Sequence, residues 1–288
     1  MILGNGKIRI VKNILIFASL ALFAFTALRP QWGELMHDVK NEGSDVLIML
    51  DVSRSMLAKD ASPDRLQRSK DAIKWIAGSL KGDRIGLILF AGDAFLQCPL
   101  TNDIGAFMMF LDSASPDSVR LQGTDFGRAF NEAYRVFKKK RLTSRILIIV
   151  TDGEDNEGSA MDAVSMFKEL DVSVYTVGIG TESGDSVPDG SQNSGNTYMK
   201  DASGKIVSSR KNTGLLKKLA GATGGHYIDI TDSLSGLKFI LEIISDQQRN
   251  DYGNRIIKER MERYQIFAGV LIFLLAFEIM LPQRRKRK

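Results

Sequence analysis

The sequence predicts an α/β domain built on a doubly wound, mostly parallel sheet, flanked by one N-terminal and one C-terminal transmembrane helix. Three observations carry that expectation. Short runs rich in Ile, Val and Leu recur along the middle of the chain, without the strict alternation of a sheet that has one wet face. Amphipathic helical patterns separate these runs. Almost wholly apolar stretches lie near both ends, at 13–28 and 265–281, each near the short limit for a spanning helix of roughly 17–25 residues.

The first apolar stretch, NILIFASLALFAFTAL, follows Lys7, Arg9 and Lys12 and leads into LRPQWG. A secretory signal has the same basic start and apolar middle, but no small-x-small site follows, so an uncleaved anchor is expected. The second stretch, IFAGVLIFLLAFEIML, runs directly into a basic tail, Arg284 to Lys288, which reads as a stop-transfer flank. Glu278 is its one charged residue and lies close enough to the end to reach the interface. Trp32 and Tyr264 suit the two interfaces. Basic residues at both termini predict that both lie in the cytoplasm, with the middle domain on the exoplasmic side of the membrane. The chain divides into a basic flank (1–12), a first helix (13–28), a linker (29–43), the α/β domain (44–247), a juxtamembrane segment (248–264), a second helix (265–281) and a basic tail (282–288).

Within the middle, five strands are expected at Val46–Asp51, Arg84–Gly92, Arg145–Gly153, Val172–Gly180 and His226–Ile230, with AFLQCPL as an antiparallel edge. Helices are expected at 65–80, where Ser62 and Asp64 are cap candidates and Pro63 stands near the start, and at 126–138, 160–170, 215–222 and 234–245. The segment 182–210 is dominated by Gly, Ser, Asn and Asp. It reads as a surface insertion whose TYMKDASGKIVSS forms a hairpin turning at Ala202–Gly204.

The net charge of +5 belongs to the ends of the chain, so the middle offers no basic footprint for nucleic acid. A single cysteine, Cys98, excludes an intramolecular disulfide and any CxxC pair, and reads as a buried thiol. With two histidines, His37 and His226, and no G-x-S-x-G, a serine hydrolase has no support. Phosphate-binding glycine motifs are missing too.

What remains is a set of oxygen ligands. In open α/β sheets ligands bind beyond the carboxyl ends of the strands. Three features fall there: Asp51-x-Ser53-x-Ser55 after the first strand, Gly123-Thr124 before a helix, and Asp152 at the end of the third strand. Two carboxylates and three hydroxyls suit a hard cation: Mg²⁺, with Mn²⁺ or Ca²⁺ as alternatives. Ser53 and Ser55 are also competent helix caps, and Asp152-Gly153 alone is a common turn. An aspartate after a buried strand also suggests a Mg-dependent phosphatase using Asp51, but Ser53 stands where such enzymes place a general acid.

DVSRS, the GT of LQGTDFG and the TDG of IVTDGED resemble the metal-ion-dependent adhesion site (MIDAS) of von Willebrand factor A (VWA) domains. The resemblance implies a metal held by Asp51, Ser53, Ser55, Thr124 and Asp152, with an open position for an acidic side chain of a protein partner. LRPQWG after an apolar helix, GDRIGLILFAGDAFLQCPLTND, TDGEDNEG and ATGGHY resemble the Bat (Bacteroides aerotolerance) type of membrane-anchored bacterial VWA protein. That implies partners among related Bat VWA and tetratricopeptide-repeat membrane proteins, and an indirect link to a MoxR-type AAA+ ATPase. Members of that group generally carry another apolar segment before the RPQWG helix, whereas this chain begins close to it. The resemblance also implies a bacterial inner membrane, and membrane lipid is expected at the termini.

Overall fold

The computed structural model describes residues 5–28, 30–37, 43–80, 82–138, 144–189, 197–233, 235–244 and 257–280. The basic tail therefore lies outside the described residues. The chain forms two units, Met1–Val39 with Arg255–Lys288, and Lys40–Asn254.

The first unit pairs the two apolar segments. Helix α1 (Asn5–Ala27) and helix α9 (Tyr264–Met280) pack along each other, with Phe25 edge-on to Phe267 at 5.1 Å. Residues Ile10–Ala27 are long and apolar enough to cross a membrane, whereas α9 is apolar but has 17 residues. Helix α1 runs through the expected basic flank, and Lys12 pairs with Glu278 at 3.2 Å. The charge that sequence reasoning sent to the interface thus has a partner on the neighbouring helix. Beyond the helices, β1 (Gln31–His37) pairs antiparallel with β10 (Ile257–Glu262). The register sets Glu34 opposite Arg260 and Met36 opposite Lys258. Both segments read as linkers in the sequence, because each is short and neither has an apolar face to mark it as a strand.

In the second unit, six strands stand in the order β4-β3-β2-β5-β6-β9. These are β2 (Asp45–Asp51), β3 (Arg84–Phe90), β4 (Ala94–Thr101), β5 (Arg145–Thr151), β6 (Val172–Gly178) and β9 (Tyr227–Asp229). Only the β3–β4 pair is antiparallel. The continuous apolar runs follow from burial on both faces. Along β2, Val46, Ile48 and Leu50 face one core, with Ile73 and Ile76 of α2 (Arg65–Ser79) and Phe107 of α3 (Ile104–Asp112). Leu47 and Met49 face the other, with Phe126, Phe130 and Phe137 of α4 (Phe126–Phe137). All five are fully buried, each worth about 1.5–3 kcal/mol of transfer free energy.

The expected helices form with three adjustments. Asp64, rather than Ser62, caps α2, accepting from the Gln67 N–H at 2.7 Å. The helix expected at 160–170 is two short pieces, α5 (Ala160–Val164) and α6 (Met166–Glu169). Helix α3, capped by Asp103, was not anticipated, because its nine residues are apolar on most sides and carry no clear stripe. Helix α7 (Thr213–Gly221) and helix α8 (237–244) complete the layers. The 182–210 segment contributes a small antiparallel pair, β7 (Asp185–Ser186) with β8 (Ser208–Ser209), and turns back through a Lys200–Ile206 bridge.

Candidate metal centre

The polar end of β2 faces the carboxyl edge of the sheet, between β3 and β5. Asp51 is fully buried there. Its Oδ1 accepts the Ser53 N–H at 2.8 Å and its Oδ2 accepts the Thr151 hydroxyl at 2.6 Å. Ser53 precedes a 3-10 turn, Arg54–Leu57, but its side chain makes no capping bond. Instead the Ser53 and Ser55 hydroxyls lie 2.9 Å apart. The capping role open to these serines in the sequence is therefore not the one they take.

Thr124 enters from a loop laced to the end of β3. The Gly92 N–H donates to the Leu121 carbonyl and the Asp125 N–H to the Ala91 carbonyl, at 3.0 and 2.8 Å. Gly123 sits at φ +103°, a backbone region that glycine adopts without strain. Thr124 is 4% exposed, and its hydroxyl makes no hydrogen bond among the described residues. Asp152 follows β5 and is fully buried. Its Oδ1 accepts the Glu154 N–H at 3.1 Å, and its Oδ2 accepts from Arg65 and Ser209 at 3.0 and 3.1 Å.

The electrostatics of the two carboxylates differ. Burial, and then the charge of Asp152, push the Asp51 carboxyl up to about 7, against the pull of the Thr151 and Ser53 hydrogen bonds. Glu154 is also raised, by burial and then by Asp152. Asp152 has the Arg65 guanidinium beside it, while no lysine or arginine pairs with Asp51 among the described residues. A buried carboxylate beside another, with hydroxyls around it and no cation of its own, is an arrangement that a hard divalent ion would relieve. The donor set fits such an ion, because all five residues offer oxygen and none offers sulfur or imidazole. Among the described residues no group of three acidic, His or Cys side chains is gathered, so hydroxyls would have to complete the coordination.

Sequence reasoning missed Arg65, Thr151, Ser209 and Glu154. Thr151 was visible in IVTDGED, one position before the aspartate. Arg65 carried no signal, since an arginine at a helix start reads as exposed. Ser209 lies in a segment read as a surface excursion, yet it is 1% exposed. His226 lies between the rings of Tyr175 and Phe239, consistent with its expected structural role, and Cys98 is 1% exposed.

Fold and site together define a VWA-type α/β domain. Residues 46–154 match the von Willebrand factor type A domain, and the chain belongs to that family, within its Bat type. BatB from Bacteroides thetaiotaomicron is 37% identical, with a TM-score of 0.68 over 72% of this chain and 100% of its own. An aerotolerance-related membrane protein from Bacteroides fragilis is 36% identical, with a TM-score of 0.67 over 71% of this chain and 100% of its own. An uncharacterised protein of Borreliella burgdorferi is 28% identical over 236 residues, covering 81% of this chain and 67% of its own length.

Proposed function

We propose that this chain is a membrane-anchored binding module, not an enzyme, which captures protein partners through a divalent cation held by Asp51, Ser53, Ser55, Thr124 and Asp152. The observation that carries the reading is Asp51: fully buried, raised to about 7, and facing a second buried carboxylate. When bound, the cation would neutralise that pair and offer a coordination position to an acidic side chain of the partner. Mg²⁺ is the preferred ion, on the hardness of the donors. Asp51 and Asp152 supply charge. The Ser53, Ser55 and Thr124 hydroxyls add oxygens without repulsion, and Thr151 and the Ser53 N–H orient Asp51.

The relatives and the terminal unit support a setting for this module. A Bacteroides fragilis relative is described as an aerotolerance-related membrane protein, which supports a role in stress tolerance or envelope assembly beside other Bat-type proteins. Helices α1 and α9 pair antiparallel, with Phe25 near Phe267 and Lys12 near Glu278. That pairing supports two spans with both termini on one side of the membrane, and the basic residues near both ends of the chain support the cytoplasm as that side, with the VWA domain opposite. Capture of membrane-protein partners from detergent extract should require Mg²⁺ and fail for Asp51→Ala. Capture that survives both EDTA and Asp51→Ala overturns the metal-bridge reading.

A further inference from the structure

Arg65 has no exposed surface, and all five of its N–H donors are used. Nε and Nη2 form a fork on Asp60 at 2.7 and 2.8 Å. Nη1 donates to Asp152 Oδ2 at 3.0 Å and to the Ser209 hydroxyl at 2.7 Å, and Nη2 also reaches the Ser209 carbonyl at 3.2 Å. The Ser209 hydroxyl in turn donates to the same Asp152 Oδ2. Asp60 Oδ2 accepts the N–H and hydroxyl of Thr181 at 2.8 and 2.9 Å. The guanidinium fits because residue 180 is glycine, where a Cβ would stand 2.5 Å from Arg65 Nε.

One buried cation thus ties together the loop after β2, the carboxyl end of β5 and both ends of the 181–210 hairpin. Thr181 is held through Asp60, and Ser209 is held directly. A fork of this kind fixes geometry as well as charge. Asp152 is at once a proposed metal ligand and one of the anchors of this network.

Building on the metal-site reading, we propose that Arg65 is a positioning residue that couples metal occupancy to the seating of the 181–210 hairpin. A divalent cation and the guanidinium draw on the same carboxylate, and the two cations repel each other at short range. Arg65 keeps Asp60 as its second anion, so its bond to Asp152 can weaken without leaving the charge unpaired. Ser209 bonds to Arg65 and Asp152 together, with Glu154 as a further partner, and its contact to the Arg65–Asp152 pair is the one that loosens. The Ser209 end of the 181–210 segment is then held firmly in the empty state and loosened in the loaded one, while the Thr181 end stays on Asp60. By linkage, whatever holds the hairpin down weakens metal binding by the same factor.

Mg²⁺ alone is a sufficient probe, with the full chain in detergent. Amide exchange at Arg210 and Lys211, whose N–H groups bond to Glu154 and to the Thr181 carbonyl, reads the seating. In the wild type, Mg²⁺ should speed exchange at these amides severalfold. Ser209→Ala leaves the Arg65–Asp60 fork in place. It should show fast exchange without Mg²⁺, little further response to it, and Mg²⁺ affinity about threefold to tenfold tighter by calorimetry, from loss of a hydrogen bond to a charged group. Arg65→Lys, where it folds, should likewise lose the response. Exchange that is unchanged or slowed by Mg²⁺, or a full response persisting in Ser209→Ala, overturns the coupling while leaving the metal site standing. A wild-type chain with no calorimetric Mg²⁺ binding overturns the metal reading, and the coupling with it.

Discussion

Strand β2 begins and ends in a buried aspartate, and the two are treated in opposite ways. Asp45, 3% exposed, meets the Arg84 guanidinium, with Nε at 2.8 Å and Nη2 against both carboxylate oxygens. Asp51, six positions on, meets hydroxyls, a backbone N–H and the charge of Asp152. A carboxylate out of water needs a counter-charge or it holds its proton. At the amino end of the strand the chain provides the counter-charge. At the carboxyl end no lysine or arginine among the described residues pairs with Asp51, and that difference separates a structural ion pair from the proposed cation site.

The contrast can be broken by substitution. The largest effect is expected at Asp152→Ala, which strips a fully buried arginine of one of its two carboxylates. Because Asp60 still pairs the guanidinium, it should cost about 3 kcal/mol of stability, the low end for broken buried pairs, and abolish Mg²⁺ binding; chemical denaturation and calorimetry measure both. Asp45→Asn should cost less, about 1–3 kcal/mol, because Arg84 retains some exposure, and should leave Mg²⁺ affinity unchanged. Asp51→Asn should do the reverse. Metal-free stability should hold or rise, since a strained charge is gone, while Mg²⁺ no longer protects against thermal unfolding.

A smaller effect sharpens the same point through pH. Asp51 has an ordinary value of 3.8 and is raised to about 7 in the fold. Its favourable contribution is therefore complete below about pH 4 and is lost as pH rises through 7. Metal-free wild type should lose thermal stability between pH 5 and pH 8 by more than Asp51→Asn does. Added Mg²⁺ should restore more at pH 8 than at pH 5. Equal slopes for the two proteins would place the charge strain elsewhere.

Much of this was legible in the sequence, for physical reasons that differ by region. The parallel strands announced themselves because two covered faces demand unbroken apolar runs, as in β2 and β5. The five proposed oxygen donors stood at the end of β2 and just after it, just before α4 and just after β5, in the order expected at the carboxyl edge of such a sheet. The β1–β10 pairing was not legible, because it joins short polar segments more than 200 residues apart in the sequence. Nor was the Arg65 network: its five bonds come from positions 60, 152 and 209, and nothing local to RLQRSK marks its arginine as buried. Segment 182–210 read as an excursion because its composition is polar, although its closing residues Ser209 and Arg210 return to Asp152 and Glu154.

The most direct test of the central claim is a Mg²⁺ titration by calorimetry, at pH 8, of the full chain beside its Asp51→Asn and Asp45→Asn variants. The account predicts one saturable Mg²⁺ per chain for the wild type and Asp45→Asn, and none for Asp51→Asn. Equal binding by the wild type and Asp51→Asn would contradict it.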